Sequence, residues 1–167
     1  TGLVAAWIMT FLDTVDGKLA RLTLTSSKFG NIYDHGIDLL HPPFWYLAWG
    51  FGLSLYDTPL DGGILSLVLW VIVAGYILGR AIEGVFMRVF SMHMHVWQRK
   101  DSVFRLFTAR RNPNMVILTL ALVAGRPDLG LVAVAVWTAT SVLFHLVRLY
   151  MAAAVRRRGG EVVSWLA

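Results

Sequence analysis

Four aspartates, Asp13, Asp16, Asp34 and Asp38, stand close together in a strongly apolar chain. Charge in hydrocarbon is costly and usually functional, so such a group needs a chemical reason. Asp13 and Asp16 are three residues apart and share a face if the segment is helical. Asp34 and Asp38 are four apart and share a face in the same way. Between the pairs lies Ser26 to Asn31, which contains Gly30 and reads as a break between two helices. The expected result is a helical hairpin with two carboxylates on each arm. Such a site suits hard divalent cations held through oxygen, Mg²⁺ (or Mn²⁺), with two ions expected. Gly17 and Ala20 follow Asp16 on the same helix, where small side chains allow close approach of a ligand. Arg21 lies one turn beyond Gly17, and its guanidinium fork matches phosphate oxygens. Each of these residues alone is more simply structural; eight positions at one fixed spacing are not.

The 167-residue chain is 57% hydrophobic and 15% charged, with a mean hydropathy of +0.63. Soluble domains carry about a quarter charged residues. The reading is an all-α, polytopic transmembrane helix bundle forming a single domain over residues 1–167. With no cysteine, disulfides, thiolate metal sites and cysteine nucleophiles are excluded. The pI near 10 does not point to nucleic acid, because the basic residues collect at helix ends.

Five apolar segments are expected. The first runs from Gly2 to about Leu12 and continues as a helix through the aspartates to Leu22. The second covers about Ile32–Tyr56, with Pro42-Pro43 expected to bend it. The third covers about Gly63–Phe90, the short fourth Met115–Gly125, and the fifth Leu129–Val155. A span needs about 20 residues, which the second, third and fifth supply outright. The fourth is expected to start earlier, near Asn112-Pro113. Lys18, Arg21 and Lys28, the arginines from Arg99 to Arg111, and Arg156 to Arg158 all fall on alternate loops of one side. Only Arg126 falls on the other. The positive-inside rule places the aspartates on the cytoplasmic face of a multi-pass protein, the inner membrane if bacterial. Thr1 then lies on the opposite face, and a sixth helix is expected upstream. The stretch 91–111 reads as an interfacial loop, with room for an amphipathic helix.

Arg80 and Glu83 sit three apart within the third segment, where charge is rarely idle. Their mutual pairing is as good a reading as a functional one. Arg105, Arg110 and Arg111 are dense enough to grip a phosphorylated ligand, though an ordinary basic loop explains them as well. His145 and Arg148 share a face of the fifth segment, and a satisfied interior histidine is the simpler account. Arg156 to Arg158 read as an anchor to anionic lipid.

The pattern D-x2-D-G-x2-A-R-x8-G-x3-D-x3-D, from Asp13 to Asp38, resembles the signature of the class I CDP-alcohol phosphotransferases, also called CDP-alcohol phosphatidyltransferases. Every fixed position is present. The resemblance implies a six-helix membrane fold and phosphotransfer in phospholipid synthesis. A substituted phosphate, such as phosphatidyl, would pass from a CDP-linked lipid donor to the hydroxyl of a small alcohol or sugar-alcohol acceptor, releasing CMP. It implies Asp13, Asp16, Asp34 and Asp38 as metal ligands, and Asp38 as the general base. Asp13, Asp16, Gly17, Ala20, Arg21 and Gly30 would line the nucleotide and diphosphate site. Arg80, Arg105, Arg110 and Arg111 are the candidates for acceptor binding. Membrane lipids are expected partners, and a homodimer is compatible. Two other readings stay open. A non-catalytic divalent-cation-binding membrane protein or transporter would explain the aspartates, but has no use for Gly17, Ala20, Arg21 and Gly30. A prenyl transferase would use Mg²⁺ on a diphosphate, without the G-x2-A-R element.

Overall fold

The computed structural model describes the backbone of residues 2–23, 29–30, 36–37 and 40–166. It describes the side chains of these residues except Asp13, Thr14, Asp16, Gly17, Ala20, Arg21 and Thr23. All regular structure among the described residues is helical. The chain forms two compact units, residues 1–48 and 49–167.

In the first unit, α1 runs unbroken from Gly2 to Thr23, through the positions of Asp13 and Asp16. Val4, Ile8, Phe11, Leu12 and Leu19 are exposed along it. Helix α2 spans Pro42–Gly52. The expected bend at Pro42-Pro43 is present: residues 36–37 and 40 are helical, His41 is a bend, and a helix starts again at Pro42. Proline lacks an N–H, and the first helical turn has no use for one. Just before it, the His41 backbone N–H donates to the Ile37 carbonyl at 3.0 Å. Residues 31–35 and 38–39 of the expected second span lie outside the described residues. A 3₁₀ turn, Leu53–Tyr56, follows α2.

The second unit is built on two long helices, α3 (Gly62–Phe90) and α6 (Pro127–Arg157). Among the described residues these are the two long and apolar enough to cross a membrane. Asp61 caps α3 by accepting from the Gly63 N–H at 3.0 Å, satisfying one of the free donors of the first turn. Pro127 opens α6 at a position where its missing N–H costs nothing. Gly75 faces Thr138, and further along Ile82 and Phe86 pack with Leu149 and Ala152, so α3 and α6 run side by side in one direction. A Cβ on Gly75 would sit 2.5 Å from Thr138 Cγ2, so the absence of a side chain sets this close approach. Leu67, Trp70 and Ile77 of α3 and Val136 and Leu143 of α6 remain exposed. Apolar surface of that extent needs hydrocarbon or a partner to cover it.

Between them the chain descends in two pieces, α4 (Arg99–Phe107) and α5 (Arg111–Val123). Helix α4 is the one expected within 91–111, but it lies along α6. Its contacts step in opposite directions along the two helices. Asp101 meets Arg148, Phe104 stacks on Phe144 with centroids 3.8 Å apart, and the Ala109 N–H donates to Ser141 Oγ at 2.9 Å. Helix α5 continues the same course, with Gly130 of α6 allowing the approach of Ala121. Alone α5 is about 20 Å long, short of the roughly 30 Å hydrocarbon core. Its shortness in sequence therefore reflects a limb interrupted at Thr108 to Arg110, with α4 as its other half. The C-terminal segment folds back onto this limb. Trp165 Nε1 donates to Ser102 Oγ at 2.9 Å, and the Trp165 N–H to the Val96 carbonyl at 3.1 Å.

Candidate active site

The aspartate signature begins on α1. Asp13 and Asp16 occupy helical positions three apart, and Gly17, Ala20 and Arg21 follow on the same unbroken helix. The unbroken helical backbone is what their spacing predicts. The side chains of all five lie outside the described residues, as do Asp34 and Asp38 entirely. Gly30 is exposed in a short helical piece, residues 29–30. Among the described residues no group of three or more His, Asp or Glu could hold a metal ion.

A second charged cluster belongs to the other unit. Glu83 of α3 accepts from Arg80 Nη2 at 3.1 Å, one helical turn away. Its other oxygen accepts from Arg110 Nη2 at 2.8 Å, across the interruption between α4 and α5. The expected Arg80–Glu83 pair is present, and Arg110 joins it as a partner that spacing alone does not reveal. Arg105 hydrogen-bonds the His95 ring. A crevice is lined by Glu83, His95, Phe104, Arg105, Thr108 and His145, with Met94, Asp101 and Phe144 completing it. His145 is buried as expected, but its Nδ1 has no hydrogen-bond partner among the described residues. It is therefore an open polar atom at the crevice and not a fully satisfied core histidine. Arg111 lies half-buried in the first turn of α5, outside the crevice lining.

Three guanidiniums, Arg80, Arg105 and Arg110, gather around one carboxylate, Glu83. The cluster thus keeps a positive surplus. Burial pushes the His95 imidazole down to about 4, and the Arg105 guanidinium beside it adds to the shift. His95 is therefore neutral near pH 7 and leaves Arg105 as the cation at that wall.

Sequence reasoning missed the support behind this wall. Arg148, fully buried in α6, donates to both oxygens of Asp101 at 2.5 and 2.7 Å and to Gln98 Oε1 at 2.8 Å. Its guanidinium lies 4.1 Å from the centre of the Trp97 ring. The available signal was an arginine within an otherwise apolar helix, which demands a partner.

The chain is helical among its described residues, with two long apolar helices, and carries the pattern D-x2-D-G-x2-A-R-x8-G-x3-D-x3-D. The sequence pattern of one family, CDP-alcohol phosphatidyltransferase, matches residues 1–145. The chain belongs to that family. Over 71 residues it is 37% identical to human ethanolaminephosphotransferase 1, a match covering 40% of this chain and 17% of the relative. Over 58 residues it is 36% identical to chicken (Gallus gallus) cholinephosphotransferase 1, covering 35% of this chain and 17% of the relative. The matched stretch thus spans about a sixth of these relatives' length. No solved structure matches.

Proposed function

We propose that this protein is a divalent-metal-dependent membrane phosphotransferase that transfers a substituted phosphate from a CDP-alcohol donor to an acceptor hydroxyl. The single observation that carries this reading is the complete signature from Asp13 to Asp38, within a family match over most of the chain. The continuous α1 supports it by placing Asp13 and Asp16 on one helix.

The donor set fits a hard cation: four carboxylates, with no thiolate in the chain. Asp13, Asp16, Asp34 and Asp38 would hold Mg²⁺ or Mn²⁺, two ions in this reading. The bound metal would neutralise the diphosphate and the charge developing on the leaving group. Arg21 pairs with a phosphate oxygen, while Gly17, Ala20 and Gly30 leave room for the nucleotide. Asp38 takes the proton of the acceptor hydroxyl. The oxygen attacks the phosphorus that carries the donor's alcohol, the bond to the CMP oxygen breaks, and CMP leaves. Arg80, Arg105 and Arg110, with Arg111 nearby in sequence, are proposed to receive the acceptor. Their positive surplus favours an acceptor with an anionic group. The reading assigns the whole chain to one domain of a six-helix bundle, with the basic loops on the cytoplasmic side.

The donor's alcohol is either diacylglycerol, as in a phosphatidyl transfer, or one of the small alcohols in the relatives' names, ethanolamine or choline. A panel separates these. The purified protein is given Mg²⁺ with CDP-diacylglycerol, CDP-ethanolamine or CDP-choline, each against neutral and phosphorylated acceptors. CMP release with one pair identifies the reaction. Binding of divalent cation without any binding of CDP would support the cation-binding alternative instead.

A further inference from the structure

The interruption between α4 and α5 poses a mechanical question. Arg105 and His95 form one wall of the crevice, and Glu83 and His145 form the other. The first wall rides on α4 and the short turn before it, Met94–Val96. Helix α4 is only nine residues long. Its apolar contacts with α6, Phe104 on Phe144 and on the edge of His145, would tolerate rotation or a slip. Its other ties to α6 are single hydrogen bonds at the far end, Trp137 Nε1 to the Phe107 carbonyl at 2.6 Å and the Ala109 N–H to Ser141 Oγ. Apolar packing of this kind is not directional, whereas a bidentate guanidinium–carboxylate pair is.

We infer that Arg148 is a positioning residue. Through Asp101 and Gln98 it fixes the rotation and register of α4 on α6, and so fixes where Arg105 stands in the crevice. Four observations converge. Arg148 and Asp101 are both buried, at 2% and 3% exposure, so their pairing is not screened by water. The fork is bidentate, which defines an orientation as well as a distance. The same two partners close the start of α4, because the Gln98 backbone N–H donates to Asp101 Oδ2 at 3.1 Å. Trp97 lies against the guanidinium, its ring centre 4.1 Å away, and adds a further contact to the same arginine. Arg105 follows Asp101 by one turn, so an error at Asp101 is carried directly to it. A buried ion pair of this kind adds little net stability over apolar packing, but it can select a single arrangement.

This inference rests on the proposed acceptor role of the crevice for its kinetic consequence, but its structural content does not. The chain contains no cysteine, so Val103→Cys and Leu143→Cys give a clean nitroxide pair on exposed positions of α4 and α6. Dipolar EPR then reads the distance in the otherwise native protein, in Arg148→Lys, and in the milder Gln98→Ala. Lysine keeps the charge but not the fork. The expected result is one narrow distance distribution with Arg148, a shifted or broadened one with lysine, and a smaller change in the same direction with Gln98→Ala. In the transferase assay Arg148→Lys raises the acceptor KM on the order of ten- to a hundredfold, as small misplacements of positioning groups do, with donor KM unchanged. Unchanged distances in both variants overturn the inference. So does an equal rise in donor and acceptor KM together with a fall in kcat in a folded Arg148→Lys protein, which would mark a merely structural residue. A native protein that releases no CMP overturns the functional reading alone, because the EPR distances decide the register independently.

Discussion

His95 shows how a single side chain can tie stability to pH. In the folded protein its imidazole takes a proton only near pH 4, against an ordinary value of 6.5, because burial and then Arg105 oppose the charge. Between those values the unfolded chain binds more protons than the folded one. His95 therefore contributes fully above pH 6.5, and that contribution is lost as pH falls toward 4. Thermal unfolding in detergent across this window should show a falling midpoint, with a shallower fall in His95→Gln. Equal slopes would show that the ring is not held neutral. Glu83 makes a complementary case. Glu83→Gln leaves Arg80 and Arg110 without their shared carboxylate, and the pair is partly exposed. The expected loss is modest, about 1 kcal/mol, measured by the same unfolding. At this scale the helical placement of Asp13 and Asp16 was legible, because spacing on one helix is a local property. The Glu83–Arg110 pair and the Asp101–Arg148 fork were not, because they join residues 27 and 47 positions apart. Only packing brings these together.

At the scale of elements, the helices followed from apolar runs and their punctuation. Asp61 before α3 and Pro127 at the start of α6 mark ends that local chemistry dictates. The bend before Pro42-Pro43 was legible, because proline cannot continue a helix from its preceding turn. One thing escaped the pattern. The stretch 91–111 reads as an interfacial loop from its mixed composition. Its helix instead shelters a polar face, Asp101 and Gln98, against Arg148. The contact of α3 with α6 gives a direct test. Gly75→Leu must displace Thr138 and should destabilise the protein by about 1–3 kcal/mol, as overpacking of a close helix contact does. Gly79→Leu, on the same helix with nothing within 4 Å of an added Cβ, should cost far less, so equal losses would contradict this packing.

For the molecule as a whole, the basic residues at one end of α3 and α6 give a topology that labelling can check. Single cysteines in the otherwise cysteine-free chain at Thr58 and at Asp101's neighbour Lys100 should react from opposite sides of sealed vesicles. Reaction from the same side would contradict the proposed orientation. The family was legible in the chain because its signature is concentrated in eight positions, whereas no substrate alcohol is encoded there. The most direct measurement of the central claim is Mg²⁺-dependent CMP release from the CDP-alcohol panel, beside Asp38→Asn and beside the native protein in EDTA. The account predicts release by the native protein with at least one donor and acceptor, and a fall to background in both controls. Release that persists in Asp38→Asn or in EDTA, or a folded, metal-loaded native protein that neither binds CDP nor releases CMP, would contradict it.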